Sequence, residues 1–436
     1  MFMVNYDVVI VGAGFAGLSM AYNLPRYLKV LIIDRKKSLD NCIKSTGLIT
    51  EKTRRTFSEF FNIDKYITNK IDSLCVIAPD FNKHFISSSR EPWIYSTDTT
   101  GLIKSMSLNL PKNVDLMLNS GFCDYSESPH LTVKFLKNNE EKIVTTRFLV
   151  GADGANSRVG KTESSGNKKL LFGYEKVFYG DILLGNKPDK TVYHFWFGEF
   201  SLGYGGWLSP TVINNKKAFR IGLAQKADEV SKSTKINDFI EILKQRNLIN
   251  IKTGSSQISE FAGVIPIGGP IKRVINKNVL LIGDAAGLCG AFAADGIRGA
   301  IVSGKIAANQ ISKNLNCNNK LSYNYYPEIQ RKFGLMSYYK SQLKYRFIWD
   351  LIKSSRTFDA LFDLINSKNE IFLKTYCDNK EKKKSLIKTF IKIKNLPIIL
   401  KFGWYLFLDF FRNRKIIIER NNGFLKSKFY INHSNI

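Results

Sequence analysis

Cysteine pairs, histidine clusters and membrane-spanning apolar runs are all missing from this sequence of 436 residues. Its six cysteines form no Cys-x-x-Cys pair and its four histidines never cluster, so neither a disulfide framework nor a metal site is predicted. The apolar stretch 396–411 is interrupted by Lys401 and Asp409 and falls short of the roughly 20 residues that span a bilayer. These absences favour a reducing compartment such as the cytoplasm.

Acidic residues are also scarce. The chain has 37 Asp and Glu against 65 Lys and Arg, a formal net charge of +28. Such a charge favours a polyanionic partner, either nucleic acid or anionic lipid, and a genome bias toward Lys, Asn and Ile is the alternative explanation. No recognised nucleic-acid-binding module is present, so nucleic acid is not expected. The length and the 44% apolar content permit two or three domains with a large core.

A dinucleotide-binding fingerprint begins near the N-terminus. The strand-like run YDVVIV leads into Gly12, Gly14 and Gly17 with the spacing G-x-G-x-x-G, and a second strand ends at Asp34, where an acid meets a ribose hydroxyl. Asp34 followed by Arg35 suits a ribose without a 2′-phosphate, although spacing alone does not separate FAD from NAD. A glycine loop without a ligand is the less favoured alternative. The residues predicted to contact the dinucleotide here are Gly12, Gly14, Phe15, Ala16, Gly17, Asp34 and Arg35.

Two later segments repeat the pattern of a strand followed by glycine. They are RFLVGADGANSRVG at 147–160 and NVLLIGDAAG at 278–287. Together with the fingerprint, they resemble the flavoproteins of the para-hydroxybenzoate-hydroxylase fold, which include aromatic hydroxylases, flavin halogenases and geranylgeranyl reductases. The resemblance covers roughly residues 5–310.

The resemblance implies that the cofactor is FAD. Asp284 would hold its ribityl chain, and backbone amides at Gly296 and Ile297 would face the isoalloxazine edge, where a helix N-terminus stabilises negative charge. Ser45, Thr46 and Gly47 stand where relatives often carry Cys-x-Gly beside the flavin, and we count them among the cofactor-binding residues. No second G-x-G-x-x-G unit is present, so NAD(P)H would visit transiently as reductant, and a ferredoxin-type carrier is equally open.

The resemblance also implies an α/β fold with an α+β insert. A discontinuous Rossmann-like FAD-binding domain would comprise 1–74, 95–171 and 268–315. Segments 75–94 and 172–267, where apolar and polar residues alternate, would form an antiparallel-sheet substrate domain. Residues 316–436 would form a basic helical C-terminal region.

The stretch YGGWLSP at 204–210 allows two interpretations, a glycine turn or the wall of a substrate cavity at the edge of that sheet. It resembles the Y-x-W-x-F-P stretch of geranylgeranyl reductases, and Tyr204, Trp207 and Pro210 are its predicted substrate-binding residues. The W-x-W-x-I-P stretch of flavin halogenases fits less well, because Gly205 and Ser209 replace two of its four defining residues.

We therefore expect an FAD-dependent reductase that resembles the geranylgeranyl reductases and reduces the C=C bonds of a polyprenyl lipid by hydride transfer from reduced flavin. A flavin monooxygenase of an aromatic or lipid substrate is the alternative, and a non-enzymatic flavoprotein that docks on membranes is a third possibility. Cys289 is only a weak catalytic candidate, because a cysteine is more often a small buried side chain than a catalytic one. The sequence identifies no proton donor.

The C-terminal tail carries much of the positive charge. Residues 380–436 contain 14 Lys and Arg against 3 acids, a net charge of +11. Lysines that flank apolar and aromatic residues are typical of a helix in the membrane interface, and a helical cap packed on the core is the alternative. We expect a cytoplasmic protein that is peripheral at the membrane through 380–436.

Overall fold

A computed structural model describes residues 4–40, 45–128, 130–163, 165–195, 203–226, 236–252, 257–315, 324–366 and 395–411. The chain divides into two compact units, each assembled from three stretches of sequence. The first comprises Met1–Ile67, Thr97–Leu171 and Gly263–Tyr345, and the second comprises Thr68–Ser96, Phe172–Ala262 and Arg346–Ile436. Residues 316–436, which we expected to form a region of their own, are thus divided between the units.

The first unit is built on an eight-stranded sheet with a parallel centre. Strand Val4–Val11 lies between Val30–Ile33 and Glu140–Gly151 and runs parallel to both. Since these strands are covered on both faces, their apolar residues form continuous runs and do not alternate with polar ones. The sheet order is Ile275–Asn276, Val279–Leu281, Glu140–Gly151, Val4–Val11, Val30–Ile33 and Val114–Met117, and the antiparallel strands Thr132–Lys137 and Ser120–Ser126 extend from Glu140–Gly151.

Two helices of the first unit matter most for the site. The fingerprint helix, Phe15–Asn23, packs against the long helix, Ile297–Leu315. The Ser19 hydroxyl donates a hydrogen bond to the Ile301 carbonyl over 3.0 Å, so the two helices are tied together. The other elements are the helices Glu51–Ser58, Thr99–Leu108, Arg158–Thr162, Tyr325–Phe333 and Leu335–Leu351, which begins in this unit, the 3₁₀ turns Ile63–Tyr66 and Gly283–Ala286, and the strand Leu48–Thr50.

The second unit contains the other eight-stranded sheet. Its order is Ile249–Ile251, Leu170–Ile182, Lys216–Lys226, Gly203–Ile213, Thr191–Phe195, Ser73–Ile77 and His84–Ser88, and Gln257–Pro266 also pairs with Leu170–Ile182. We expected an antiparallel sheet, but Thr191–Phe195 and Ser73–Ile77 run parallel. More than a hundred residues connect these two strands, so a hairpin does not dictate their direction. One face of the sheet packs its apolar residues against the helix Ile236–Gln245.

The stretch YGGWLSP lies inside strand Gly203–Ile213, not in a turn. The strand has a neighbour on each side, so it is interior to the sheet and not at its edge. The turn comes later, at Asn214 and Asn215, whose positive φ angles of 50° and 59° suit a two-residue hairpin. Pro210 is accommodated because the pairing with Thr191–Phe195 covers only residues 206–208, so its missing N–H breaks no hydrogen bond there.

The remaining elements of the second unit include two helices that pack together, Ser355–Asn366 and Leu396–Phe410. The unit also contains the strands Ile67–Ile71 and Ile94–Thr97 and the 3₁₀ turn Pro188–Lys190. Of the basic tail, the lysine-rich segment 380–394 and residues 412–436 lie outside the described residues. None of the helices in the described ranges is both long and apolar enough to cross a bilayer.

Candidate functional site

The glycine fingerprint forms a tight turn between the first strand and the fingerprint helix. Gly12 has φ +114°, and a side chain there would collide with the Ala152 carbonyl oxygen. A side chain at Gly17 would collide with the Gly12 oxygen, so the helix packs directly on the turn. Around Gly14, in contrast, no atom would come within 4 Å of an added Cβ. The first-turn amides of this helix therefore border open space, the arrangement that binds phosphate.

The predicted ribose acid lies beside this turn. The Asp34 carboxylate accepts a hydrogen bond of 2.7 Å from the Ala13 amide and one of 2.9 Å from the Lys36 amide. Its side chain is largely buried, whereas Arg35 is exposed. Asp34 thus fixes the loop after the second strand to the glycine turn.

The second glycine segment contains Gly283 and Asp284, which we name the G-D motif, and it packs on the fingerprint helix and the long helix. The Gly283 amide donates to the Ser303 hydroxyl over 2.9 Å, and a Cβ on Gly283 would lie 2.8 Å from the Ala16 Cβ. Asp284 follows in the 3₁₀ turn, partly buried, and no described residue donates a hydrogen bond to its carboxylate. Burial raises the pKa of Asp284 from 3.8 to about 6, because no neighbouring group compensates the loss of water.

Three predicted residues converge next to Asp284. A Cβ on Gly296 would lie 2.7 Å from Asp284 Oδ1 and 3.6 Å from Cys289 Sγ. Ile297 begins the long helix, so its amide lies at a helix N-terminus. Cys289 is almost fully buried, and burial holds the pKa of its thiol well above the usual value. The environment therefore keeps a neutral thiol there, as in a structural cysteine.

The remaining predicted cofactor residues lie just before strand Leu48–Thr50 and at the start of the fingerprint helix. Gly47 has φ +69°, and its carbonyl accepts from the Thr97 hydroxyl over 2.8 Å. Ser45 accepts from the Gly47 amide over 3.2 Å, and Thr46 lies between them, partly buried. The Phe15 ring makes an edge contact with Phe57 at 6.1 Å.

Gln342 and Tyr338, which the sequence analysis did not identify, hold the loop between the G-D motif and the long helix. Gln342 Oε1 accepts from the amides of Phe292 and Ala293, at 3.2 and 2.8 Å. The Tyr338 hydroxyl donates to Asp295 Oδ1 over 2.7 Å. Gln342 and Tyr338 come from helix Leu335–Leu351, beyond the segment that carries the sequence resemblance. They fix the loop immediately before Gly296.

The predicted substrate residues lie in the second unit. The Trp207 indole lies directly over Gly222 and donates a hydrogen bond of 2.8 Å from Nε1 to Glu175 Oε2. Pro210 is buried and pairs with Phe219. Tyr204 lies in the same strand as both.

Two charged residues accompany Trp207. Glu175 is fully buried and forms an ion pair with Arg220, at 3.4 Å between Oε1 and Nη1. On the neighbouring strand, His194 pairs with Trp207, and burial lowers the pKa of His194 to about 4. The histidine is therefore neutral at physiological pH. These four residues come from four consecutive strands, and no sequence motif marks them, because their contacts depend on how those strands pair.

Comparisons of sequence relate the chain to prenyl reductases. No protein-family model matches it. Digeranylgeranylglycerophospholipid reductase 3 of Methanosphaera stadtmanae is 26% identical over 320 residues, which cover 70% of this chain and 77% of that protein. A digeranylgeranylglycerophospholipid reductase of Methanocaldococcus jannaschii is 26% identical over 401 residues, which cover 88% of this chain and 97% of the relative.

Comparison with solved structures confirms the predicted fold. A geranylgeranyl bacteriochlorophyll reductase-like protein from Thermoplasma acidophilum has a TM-score of 0.75 at 16% identity, covering 93% of this chain and all of its own. Structures of a flavin-dependent halogenase and a monooxygenase share the fold at lower TM-scores, 0.62 and 0.63. The α/β fold with an inserted sheet is therefore common to several reaction types.

Proposed function

We propose that the chain is an FAD-dependent oxidoreductase that reduces C=C bonds of a polyprenyl lipid, because it is homologous to the geranylgeranyl reductases that its sequence resembles. The observation that carries this proposal is its likeness to the two archaeal reductases over most of the chain. The residues of the first unit supply the physical support, since they form a cradle suited to a dinucleotide.

The geometry of that cradle fits FAD. Space beside Gly14 leaves the amides of the fingerprint helix open to a pyrophosphate. Asp34 lies at the same turn, and it follows the second strand, where an acid contacts the adenosine ribose in dinucleotide-binding folds. Asp284 is a partly buried carboxylate to which no described residue donates a hydrogen bond, so hydroxyls of a ribityl chain would satisfy it.

In this proposal the chain binds and orients the cofactor at fixed points. Helix amides hold the pyrophosphate, Asp34 the ribose and Asp284 the ribityl chain, while the amides of Gly296 and Ile297 stabilise negative charge at the ring edge. FAD, when bound and reduced, would supply hydride to one carbon of the double bond, and a proton would add to the other carbon. Tyr338 and Gln342 keep the loop before Gly296 in one position, which an aligned reaction of an unactivated alkene requires.

The face of the second unit's sheet that carries Trp207, opposite the apolar cluster, is the proposed wall for the prenyl chain. Residues alternate between the faces of a strand, so Trp207 points away from the apolar cluster that contains Leu208. An aromatic plane held by Glu175 provides a rigid contact surface, and Tyr204 lies in the same strand. By the same alternation Pro210 lies on the face of Leu208, where its partner Phe219 belongs to the apolar cluster, so Pro210 does not line this wall. Of the ionisable side chains beside Trp207, His194 is neutral because it is buried, and Glu175 is paired with Arg220.

A single-turnover experiment tests the reductase proposal. The protein is loaded with FAD, reduced with dithionite without oxygen, and incubated with a geranylgeranyl lipid. Mass spectrometry should show product that has gained pairs of hydrogen atoms, and reoxidised flavin should appear in equal amount. Gly222→Val is the matched variant, because its side chain would displace the Trp207 indole while the FAD cradle is untouched. Full flavin loading without any hydrogen gain in the wild-type protein would refute the proposal.

The same preparation distinguishes the monooxygenase alternative. With NAD(P)H, oxygen and substrate, a monooxygenase would consume oxygen in proportion to hydroxylated product. We expect neither substrate-dependent oxygen uptake nor hydroxylation. Chemical reduction by dithionite also separates the C=C reaction from the choice of physiological electron donor, NAD(P)H or a ferredoxin-type carrier.

The proposed location is the cytoplasm, peripheral at the membrane. A polyprenyl lipid resides in a membrane, so its reductase must reach the membrane surface. Residues 380–436 carry a net charge of +11, which suits anionic headgroups. Sedimentation of the protein with anionic vesicles at low salt, and its release at high salt, would test this contact.

A further inference from the structure

A row of exposed apolar side chains follows one face of helix Leu396–Phe410 and its C-terminal cap. Successive members are spaced four, four, three and four residues apart, so they stack along one side of the helix. Each is between 49% and 70% exposed. We name this row the docking face, and its members are Leu396, Leu400, Trp404, Phe407 and Phe411.

Aromatic contacts make the docking face continuous. The Trp404 and Phe407 rings stack at 6.0 Å, and Phe407 meets Phe411 at 4.9 Å. Phe410, beside Phe411, is also mostly exposed. The row is about 22 Å long at 1.5 Å per residue, and single exposed apolar residues of ordinary surfaces do not form such a patch.

The opposite side of the helix is fixed to the second unit, so the docking face has a defined direction. Asp409 is fully buried, and its carboxylate accepts from the amides of Lys353 and Ser354, at 2.8 and 3.0 Å. These amides precede helix Ser355–Asn366, whose N-terminus favours a carboxylate. Lys401 pairs with Asp363 of that helix at 3.7 Å. The helix is thus anchored by polar contacts while its aromatic side faces outward.

Charge and length identify the partner. In the sequence, KEKKKSLIKTFIKIK at 380–394 precedes the helix and RNRK at 412–415 follows it, so the helix lies between two cationic segments of the chain. A helix of 15 residues is shorter than a bilayer-spanning segment, but it suits the plane of the interface, where apolar side chains enter and lysines meet headgroups. Trp, as at position 404, is enriched at membrane–water interfaces.

We infer that the docking face seats helix Leu396–Phe410 in the headgroup region of an anionic lipid bilayer, with Trp404, Phe407 and Phe411 inserted. The inference rests on the proposed peripheral membrane contact and assigns it to one helix face. Seating at a bilayer holds the protein where its polyprenyl substrate is dissolved.

The test compares binding of the full-length protein to vesicles of phosphatidylcholine with 30% phosphatidylglycerol. Trp404→Ser/Phe407→Ser should weaken binding about tenfold or more, because two inserted aromatic side chains are lost. The matched control is Leu108→Ser, an exposed apolar residue at the end of helix Thr99–Leu108, and it should bind like the wild type. Circular dichroism and thermal melting establish that each variant is folded.

Tryptophan emission provides a second measurement that does not depend on removing two rings. Vesicles should shift the wild-type emission to shorter wavelength, and Trp404→Phe should lose that shift while it retains binding. Equal vesicle binding by the double variant and the wild type would overturn the inference. So would a concentration-dependent dimer in sedimentation that the double variant abolishes without vesicle binding, since the face would then bind a second copy.

The enzymatic proposal is tested separately. With substrate in detergent micelles, the double variant should reduce the lipid as fast as the wild type, and only turnover of vesicle-borne substrate should fall. Loss of vesicle binding with normal micellar turnover supports the docking face, whereas normal vesicle binding with no turnover in either form refutes the reductase and leaves the docking face intact.

Discussion

Replacing Glu175 with alanine should destabilise the second unit severely. Its carboxylate is fully buried, accepts the Trp207 indole N–H at 2.8 Å and pairs with Arg220 at 3.4 Å. The Arg220 side chain is itself only 10% exposed, so removing the carboxylate leaves a cation in a place that water barely reaches. The indole also loses its acceptor.

The magnitude follows from these contacts. Breaking a buried ion pair by removing one partner costs about 3–5 kcal/mol, and the cost of the lost indole acceptor overlaps with it. We therefore expect Glu175→Ala to lower the free energy of unfolding by about 4 kcal/mol. For a unit of this size, about 2–4 °C per kcal/mol gives a melting temperature lower by roughly 8–16 °C.

Thermal and urea unfolding of the wild type, Glu175→Ala, Arg220→Ala, the double variant and one control tests the reasoning. Asp189→Ala is the matched control, because its 2.8 Å pair with Lys217 is more than half exposed on both sides and should contribute less than about 1 kcal/mol. The double variant Glu175→Ala/Arg220→Ala should be more stable than the sum of the two single changes predicts, since both charges are gone. If Glu175→Ala lowers stability no more than Asp189→Ala, the ion pair does not stabilise this sheet.

Three further predictions concern the first unit. Gly12→Ala should abolish FAD binding, because the turn requires φ +114° and has no room for a side chain, whereas Gly166→Ala should not; flavin absorbance of the purified proteins checks both. Asp284→Asn should stabilise the FAD-free protein at pH 7 but not at pH 4. The folded-state pKa of about 6 exceeds the unfolded value, so ionisation of Asp284 opposes folding by up to about 3 kcal/mol above pH 6, and this effect disappears below pH 4; urea unfolding at both pH values would show it. Gln342→Leu removes the acceptor of two loop amides and should lower stability by about 1–3 kcal/mol and raise the FAD dissociation constant, while Gln342→Glu keeps an acceptor oxygen and should retain both; calorimetry and unfolding measure the pair.

Local patterns made the cofactor half of this protein predictable. The glycine spacing from Gly12 and the acid at Asp34 lie within one unit of strand, turn, helix and second strand, so chain geometry alone brings them together. Gln342 could not be found in this way, because it reaches Phe292 and Ala293 from a helix fifty residues later and its helix has no unusual pattern. Only the packed structure shows that contact.

The substrate half was harder to predict for a related reason. Glycines and a proline in YGGWLSP are typical of turns, yet the stretch is an interior strand, because Gly222 leaves room for the Trp207 ring and Pro210 lies beyond the pairing with Thr191–Phe195. Likewise, alternation of polar residues predicts strands but not which strands pair or in what direction. The Glu175 and Arg220 pair depends on that pairing.

The discontinuous make-up of the first unit has a consequence for synthesis of the protein on the ribosome. Strand Val4–Val11 emerges first, but Val279–Leu281, which completes the parallel sheet beside Glu140–Gly151, follows about 270 residues later. At about 5–20 residues per second, roughly 15–50 seconds pass between the two. Throughout that interval an apolar strand edge is exposed to other nascent chains, and such edges are prone to aggregate. Slower growth at low temperature and an abundance of chaperones should therefore raise the soluble yield, and any fragment that ends before residue 281 should accumulate as insoluble protein.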